Sequence, residues 1–225
     1  MAIFIRFKLF VIVILLFFLL ACSGSVPEIG QVVWQLNFSK SPVESQVYQN
    51  LSVFLLIDDA DGLSDIDFIY IIHDESELFW ILSPETWVEK VISGKNWIGS
   101  NNISMNDKSD LPSGKYRILV LDKAGERDSQ QINISKKITI LKDGLSFPEL
   151  IIGSDIKIKS VFSDNTLWIY DKSMVLLKNI KIKNGQISKS IILDDTNNAA
   201  HWISIYSFSP ETGTGLVRGP YLIQG

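Results

Sequence analysis

The chain has 225 residues, 46% of them hydrophobic and 11% aromatic, and its 21 basic and 25 acidic residues give a formal net charge of −4. The apolar share is enough for one or two ordinary cores, while the acidic balance excludes the basic face that nucleic acid requires and a broad basic contact with anionic lipid. One cysteine, Cys22, excludes a disulfide framework and a thiolate metal site.

Met1 to Lys8 carries Arg6 and Lys8 and no acid, and Leu9 to Leu20 is unbroken hydrocarbon. At about 1.5 Å per residue that run reaches roughly 18 Å, short of the roughly 30 Å of a bilayer core. It therefore reads as the apolar region of a secretory signal rather than a transmembrane helix. Leu19-Leu20-Ala21-Cys22-Ser23-Gly24 follows. This order of charge, apolar run, small residue and cysteine resembles the lipobox of bacterial lipoprotein precursors, with Leu19, Ala21 and Cys22 at the matching places. The resemblance implies cleavage after residue 21, a thioether-linked diacylglycerol on Cys22 and acylation of the new amine. Each buried methylene contributes about 0.8 kcal/mol, so several acyl chains on one residue hold a domain at the membrane essentially permanently. Ser23, rather than Asp, follows the cysteine. In a cell with two membranes the resemblance then implies sorting to the outer one. Loss of Arg6 and Lys8 with the leader brings the net charge to about −6.

Residues 22–30 comprise the lipidated cysteine and a tether whose small residues and proline form no packed element. From Gln31 the text turns to β. Val32, Trp34, Leu36 and Phe38 alternate with polar Gln31, Gln35 and Asn37, the period-two pattern of a half-buried strand. Ser39 to Glu44 breaks it. Leu51 to Ile57 is apolar at nearly every position, as a strand covered on both faces would be. Asp58 to Asp65 is a polar turn, and Ile66 to Ile72 a second dense strand. Glu77 to Leu82 is strand-like, Trp87 to Ile92 fits a strand or one helical turn, and Trp97 to Ile103 is a weaker strand. Leu111-Pro112-Ser113-Gly114 turns into Tyr116 to Leu121, Asp122 to Glu126 turns back, and Gln131 to Ile140 returns. Short strands at spacings of roughly 8–12 residues, with no long helical period, predict a sandwich or barrel.

Leu-Pro-x-Gly-x-Tyr-x-Ile-x-Val at 111–120 resembles the start of strand F in immunoglobulin-like and fibronectin type III-like domains. There a tyrosine turns its hydroxyl back onto the backbone at the corner. The Asp-x-Ala-Gly hairpin at Asp122 to Gly125 and Asp61-Gly62-Leu63 ahead of the Ile66 strand also resemble bacterial members. The resemblance implies an Ig-like β-sandwich over 31–141 with Tyr116 at the corner, and implies no activity. Lys142 to Pro148 reads as a linker. Beyond it, Ile156 to Phe162, Thr166 to Tyr170, Met174 to Ile182, Gln186 to Leu193, His201 to Phe208 and Gly215 to Ile223 are strand-like. Lys183-Asn184-Gly185 marks a tight turn, and Ser209 to Gly215 a longer hairpin tip. The expected fold is all-β: a signal peptide (1–21), then two tandem β-sandwich domains, 31–141 and a smaller one at 148–225. One large β fold is the alternative.

Chemistry is sparse. Asp58 to Asp67 holds acids two apart around a glycine, the oxygen-rich pattern of a calcium loop, with Asp59, Asp61 and Asp65 as the candidate ligands. The EF-hand spacing fails, because Tyr70 stands where the closing glutamate should be, so a solvated turn competes with the calcium reading. Gly213 to Gly219 mimics a phosphate loop but lacks its spacing and its helix, and reads as a hairpin tip. His73 and His201 read as surface or strand-edge residues, without a nucleophile or ligand spacing beside them. Most of the six tryptophans suit core packing, with Trp80, Trp87 and Trp97 as a candidate ligand patch if exposed together.

The expectation is a membrane-anchored envelope lipoprotein acting as a non-enzymatic binding or structural module. It needs no cofactor beyond the lipid on Cys22, with calcium as the exception. Its partners are the membrane, through acyl chains, and an envelope protein or glycan. A glycan hydrolase using loop carboxylates and a subunit of an envelope assembly are the alternatives.

Overall fold

The computed structural model describes residues 24–135 and 144–223. The leader, Cys22 and part of the expected linker lie outside the described residues. In chain order the strands are β1 (Glu28–Lys40), β2 (Val47–Asp58), β3 (Ile66–His73), β4 (Leu78–Leu82), β5 (Val88–Ile92), β6 (Lys95–Ile103), β7 (Gly114–Asp122) and β8 (Arg127–Ile134). They continue as β9 (Glu149–Ile152), β10 (Asp155–Lys159), β11 (Asn165–Tyr170), β12 (Leu176–Ile182), β13 (Gly185–Ser188), helix α1 (Lys189–Asp195), β14 (Trp202–Ser209) and β15 (Thr214–Leu222). The protein is all-β, and Val88–Ile92 resolves as strand rather than helix.

Two compact units emerge, and neither is one continuous stretch of chain. Within the described residues the first takes 24–32, 55–99 and 117–131, and the second takes 33–54, 100–116 and the chain from 132 onward. This grouping cuts across the expected boundary at 142–148. The reason is a pairing between the two ends of the chain: β1 runs parallel to β15, Asn37 opposite Gly215 and Lys40 opposite Arg218.

In the first unit β3 is flanked by β4 and β7, both antiparallel to it, with Ile69 opposite Leu82 on one side and Val120 on the other. Alternation places Ile69, Ile71, Ile118 and Val120 in the core, and a register shift between Ile66 and Phe68 lets Ile66 join them. β5 and β6 form an antiparallel pair from Val88↔Gly99 to Ile92↔Lys95. Between β2 and β3 the chain makes a polar loop and a single 3-10 turn, Leu63–Asp65. Between β7 and β8 it makes a tight turn, with Gly125 at a positive φ that suits glycine.

In the second unit the sheet order runs β12-β11-β14-β15-β1-β2, and β13-β10-β9 forms a separate three-stranded sheet. β2 buries Gln49, Leu51 and Val53 on one face, while the other face is half-buried rather than fully covered. Asn37, expected on the polar side of β1, is buried as well, and it is satisfied: it accepts from Gln35 Nε2 at 2.8 Å and donates to Ser52 Oγ at 3.0 Å. The turn at Asn184-Gly185 carries the chain from one sheet to the other, since β12 pairs β11 while β13 pairs β10.

The expected strand Gln186 to Leu193 stops at Ser188, and α1 replaces its second half. Only Ile192 of α1 is buried, where it joins the cluster of Leu150, Ile158, Leu167, Ile169 and Ile203, while Ile191 stays exposed. A helix lets one apolar side chain point inward without demanding alternation from its neighbours. Thr196 Oγ1 donates back to the Ile192 carbonyl at 2.9 Å, and Asn197 and Asn198 adopt positive φ and end the helix.

Candidate metal centre

Three segments of the first unit meet at one place: the start of the described chain, the β2–β3 loop and the β7–β8 turn. Asp59 opens the loop. Its Oδ1 accepts from the Asp61 amide at 2.8 Å, and its carbonyl accepts from the Gly62 amide at 3.1 Å, so the loop folds around this one residue. Gly62, at φ 87, allows the chain to turn into the 3-10 turn that sets Asp65 beside Asp59. Asp122 ends β7. Its Oδ1 accepts from the Glu126 amide at 2.8 Å, and its carbonyl from the Gly125 amide at 3.2 Å. The two loops are tied together where the Lys123 amide donates to the Asp65 carbonyl at 2.9 Å and Lys123 Nζ to the Ser64 carbonyl at 2.6 Å.

Asp59, Asp65 and Asp122 each present a carboxylate oxygen, and the three oxygens lie within 4.8 Å of one another. Asp122 is 1% exposed. Two of the oxygens here, Asp59 Oδ2 and Asp122 Oδ2, are buried and receive no hydrogen bond. Burial, followed by the neighbouring Asp122, Asp59 and Asp61 carboxylates, holds the Asp65 carboxyl above the usual carboxylate range, and Lys123 partly offsets this.

Asp61, the third acid of the expected set, is spent elsewhere. Its Oδ2 accepts from the Ser25 amide at 2.7 Å and from Ser25 Oγ at 3.1 Å. Ser25 Oγ also donates to Asp59 Oδ1 at 2.7 Å and accepts from the Ala60 amide at 3.1 Å. Gly24 lies so close that a β-carbon there would sit 3.2 Å from Ala124 Cβ and 3.7 Å from Asp65 Oδ2. The structure thus brings Asp59 and Asp65 together as the spacing suggested, diverts Asp61 to the tether, and adds Asp122. Asp122 stood in the Asp-x-Ala-Gly hairpin motif, which marked the fold. Its neighbourhood with the Asp58–Asp65 loop becomes visible only when β7 lies beside β3.

The remaining candidates resolve differently. Trp80, Trp87 and Trp97 are each half-buried. The exposed apolar side chains of that region are Phe79 and Ile81 on β4 and Val88, Val91 and Ile92 on β5. His73, expected at the surface or a strand edge, ends β3 and is 1% exposed, and its Nδ1 accepts from the Ser76 amide at 3.2 Å, capping a 3-10 turn. His201 stacks edge-on against Trp202 at 5.0 Å. Gly213 sits in the β14–β15 turn, and the rest of the mock phosphate loop is extended in β15. In the second unit a hollow of about 330 Å³, lined by Asn165, Thr166, Lys181 and Tyr206, lies beside the stacked pair Trp168–Tyr206.

No family model and no curated protein matches the chain. Among solved structures it overlaps Tp47, the 47-kilodalton lipoprotein of Treponema pallidum, at 11% identity and a TM-score of 0.40, over 87% of this chain and 50% of that one. It overlaps dimeric latent PorU from Porphyromonas gingivalis at 13% identity and a TM-score of 0.34, over 89% of this chain and 20% of that one. The chain therefore spans about half the length of the first and a fifth of the second. Both overlaps are too loose to carry an argument about function.

Proposed function

We propose that the protein is a lipid-anchored module of the bacterial cell envelope that binds or scaffolds rather than catalyses, with an Ig-like sandwich around Tyr116. The observation that carries this reading is the order Arg6 and Lys8, apolar Leu9 to Leu20, Ala21, Cys22, in front of a chain that folds as β-sheet. In this reading Cys22 bears the acyl chains, the anchor lies in the outer membrane of a two-membrane cell, and the sheets stand outside the cytoplasm. One feature supports a partner-binding role. The strand β5 is exposed at all five positions, with Val91 73% exposed, and an exposed apolar strand is a ready template for a partner segment.

The test is metabolic labelling with palmitate. The native chain takes up label and loses its leader, whereas Cys22→Ser takes up none and persists as the longer precursor. Label entering Cys22→Ser would show that the anchor is assigned wrongly.

A further inference from the structure

We propose that Asp59, Asp65 and Asp122 hold a calcium ion, and that this ion pins the segment Gly24–Ser25 to the β2–β3 loop. The reading goes beyond the anchoring role and stands whether or not Cys22 carries lipid.

The donor set is all oxygen and all anionic, which suits a hard divalent cation. Calcium–oxygen bonds of about 2.3–2.6 Å put opposite ligands of one ion roughly 4.6–5.2 Å apart. The three carboxylate oxygens, all within 4.8 Å of one another, fit around one such centre. A group of acids at a surface would not by itself argue for an ion. Here Asp122 is 1% exposed, its Oδ1 is engaged by the Glu126 amide, and its Oδ2 is buried with no donor. Asp59 repeats the pattern: Oδ1 takes the Asp61 amide and Ser25 Oγ, and Oδ2 is buried with no donor. A buried carboxylate oxygen without a partner carries a large desolvation cost, and two acids that each hold one, grouped with a third acid, are the arrangement a cation resolves. Lys123 offsets part of the charge at Asp65, but its Nζ is bonded to the Ser64 carbonyl and neither buried Oδ2 receives a hydrogen bond from it. The irregular loop and mixed origin of the ligands favour calcium over magnesium, which demands near-ideal octahedral geometry.

The coupling to the tether follows from Asp59. One oxygen of its carboxylate, Oδ2, is buried and receives no hydrogen bond, and the other, Oδ1, holds Ser25. An ion on Oδ2 fixes the carboxylate, and with it the acceptor for Ser25 Oγ and, through the Asp61 amide, the loop that places Asp61 Oδ2 under the Ser25 amide. Ser25 is three residues past Cys22, so calcium stiffens the root of the domain.

The experiment uses the full chain in detergent, stripped with chelator and titrated with calcium chloride or magnesium chloride alone. One calcium per chain and a rise in Tm of about 4 °C or more at saturation are expected, with a clearly smaller effect of magnesium. Asp122→Asn and Asp65→Asn should each weaken calcium binding by about tenfold or more. The asparagine at 122 keeps an acceptor for the Glu126 amide, and Asp65→Asn provides the independent check should the first variant fold poorly. Hydrogen exchange on the native chain reads the pinning: calcium should slow exchange of the Ser25 and Ala60 amides, and Ser25→Ala should keep the affinity but lose the protection at Ala60. Absence of calcium binding at millimolar concentration, equal binding by both asparagine variants, or equal response to magnesium would overturn the site. Calcium binding that leaves Ser25 and Ala60 exchange unchanged would overturn the pinning.

Discussion

Tyr116 shows how one side chain closes a corner. It is fully buried, and its hydroxyl donates to the Pro112 carbonyl at 2.7 Å, across the turn that feeds β7. Burial raises its pKa, and burial pushes Tyr170 up to about 12. The unfolded chain ionises its tyrosines near pH 10 while the native chain keeps these protons. The native state then binds more protons than the unfolded one above about pH 10, and stability falls as pH rises from there through the native values. Urea midpoints should be flat from neutral pH to about 9 and drop steeply above about 10. Tyr116→Phe should cost about 1 kcal/mol at neutral pH by denaturant unfolding, through the lost hydrogen bond, and should flatten part of the alkaline decline. Asp122 makes the contrasting case: a residue type that turns tolerate anywhere becomes, by burial alone, an oxygen in need of a partner.

At the scale of the element, β15 depends on a glycine that no turn requires. Gly215 lies opposite Asn37 in the parallel register, and a β-carbon there would run into Asn37 Oδ1, Gln35 Nε2 and Tyr206 Cε2. Those groups are already bonded to one another, Gln35 Nε2 donating to Asn37 Oδ1 and to the Tyr206 hydroxyl at 2.8 Å each. Gly215→Ala must push a satisfied buried polar group aside, and should cost about 1–3 kcal/mol, read as a lower denaturation midpoint with unchanged m. The small helix α1 makes the complementary point. Apolar Ile187, Ile191, Ile192 and Leu193 suit a strand by composition, yet β13 has β10 to pair with only through Ser188. Beyond that point the backbone satisfies itself as a helix, and Lys178 Nζ bonds Asp195 at 2.7 Å at its end.

At the scale of the molecule, the second unit is closed by chain ends far apart in sequence. Phe38 and Leu216, both fully buried, are partners across β1 and β15. A fragment covering residues 144–225 would leave β15 with an open edge and Leu216 uncovered. It should unfold without a cooperative transition or associate, as read by circular dichroism melts and sedimentation, while the full chain melts cooperatively. A cooperative monomeric fragment would mean that β1 is dispensable.

Strand after strand was legible from local text, from alternation where one face is buried and from dense apolar runs elsewhere: Tyr116 falls in a strand that alternates, and Ile66 in one that the apolar run marked. The corner at Pro112 was legible from a local motif, and so was the loop that carries Asp59 and Asp65. What no local pattern holds is the partner. The parallel seam of β1 with β15, the switch of Gly185 from one sheet to another, the burial of Asn37 and His73, and the arrival of Asp122 beside Asp59 are contacts between residues distant in the chain. Periodicity constrains which face of a strand turns inward, but the choice of neighbour is made by the sum of long-range packing, and so the place of Asp122 in the carboxylate set came from the tertiary structure alone.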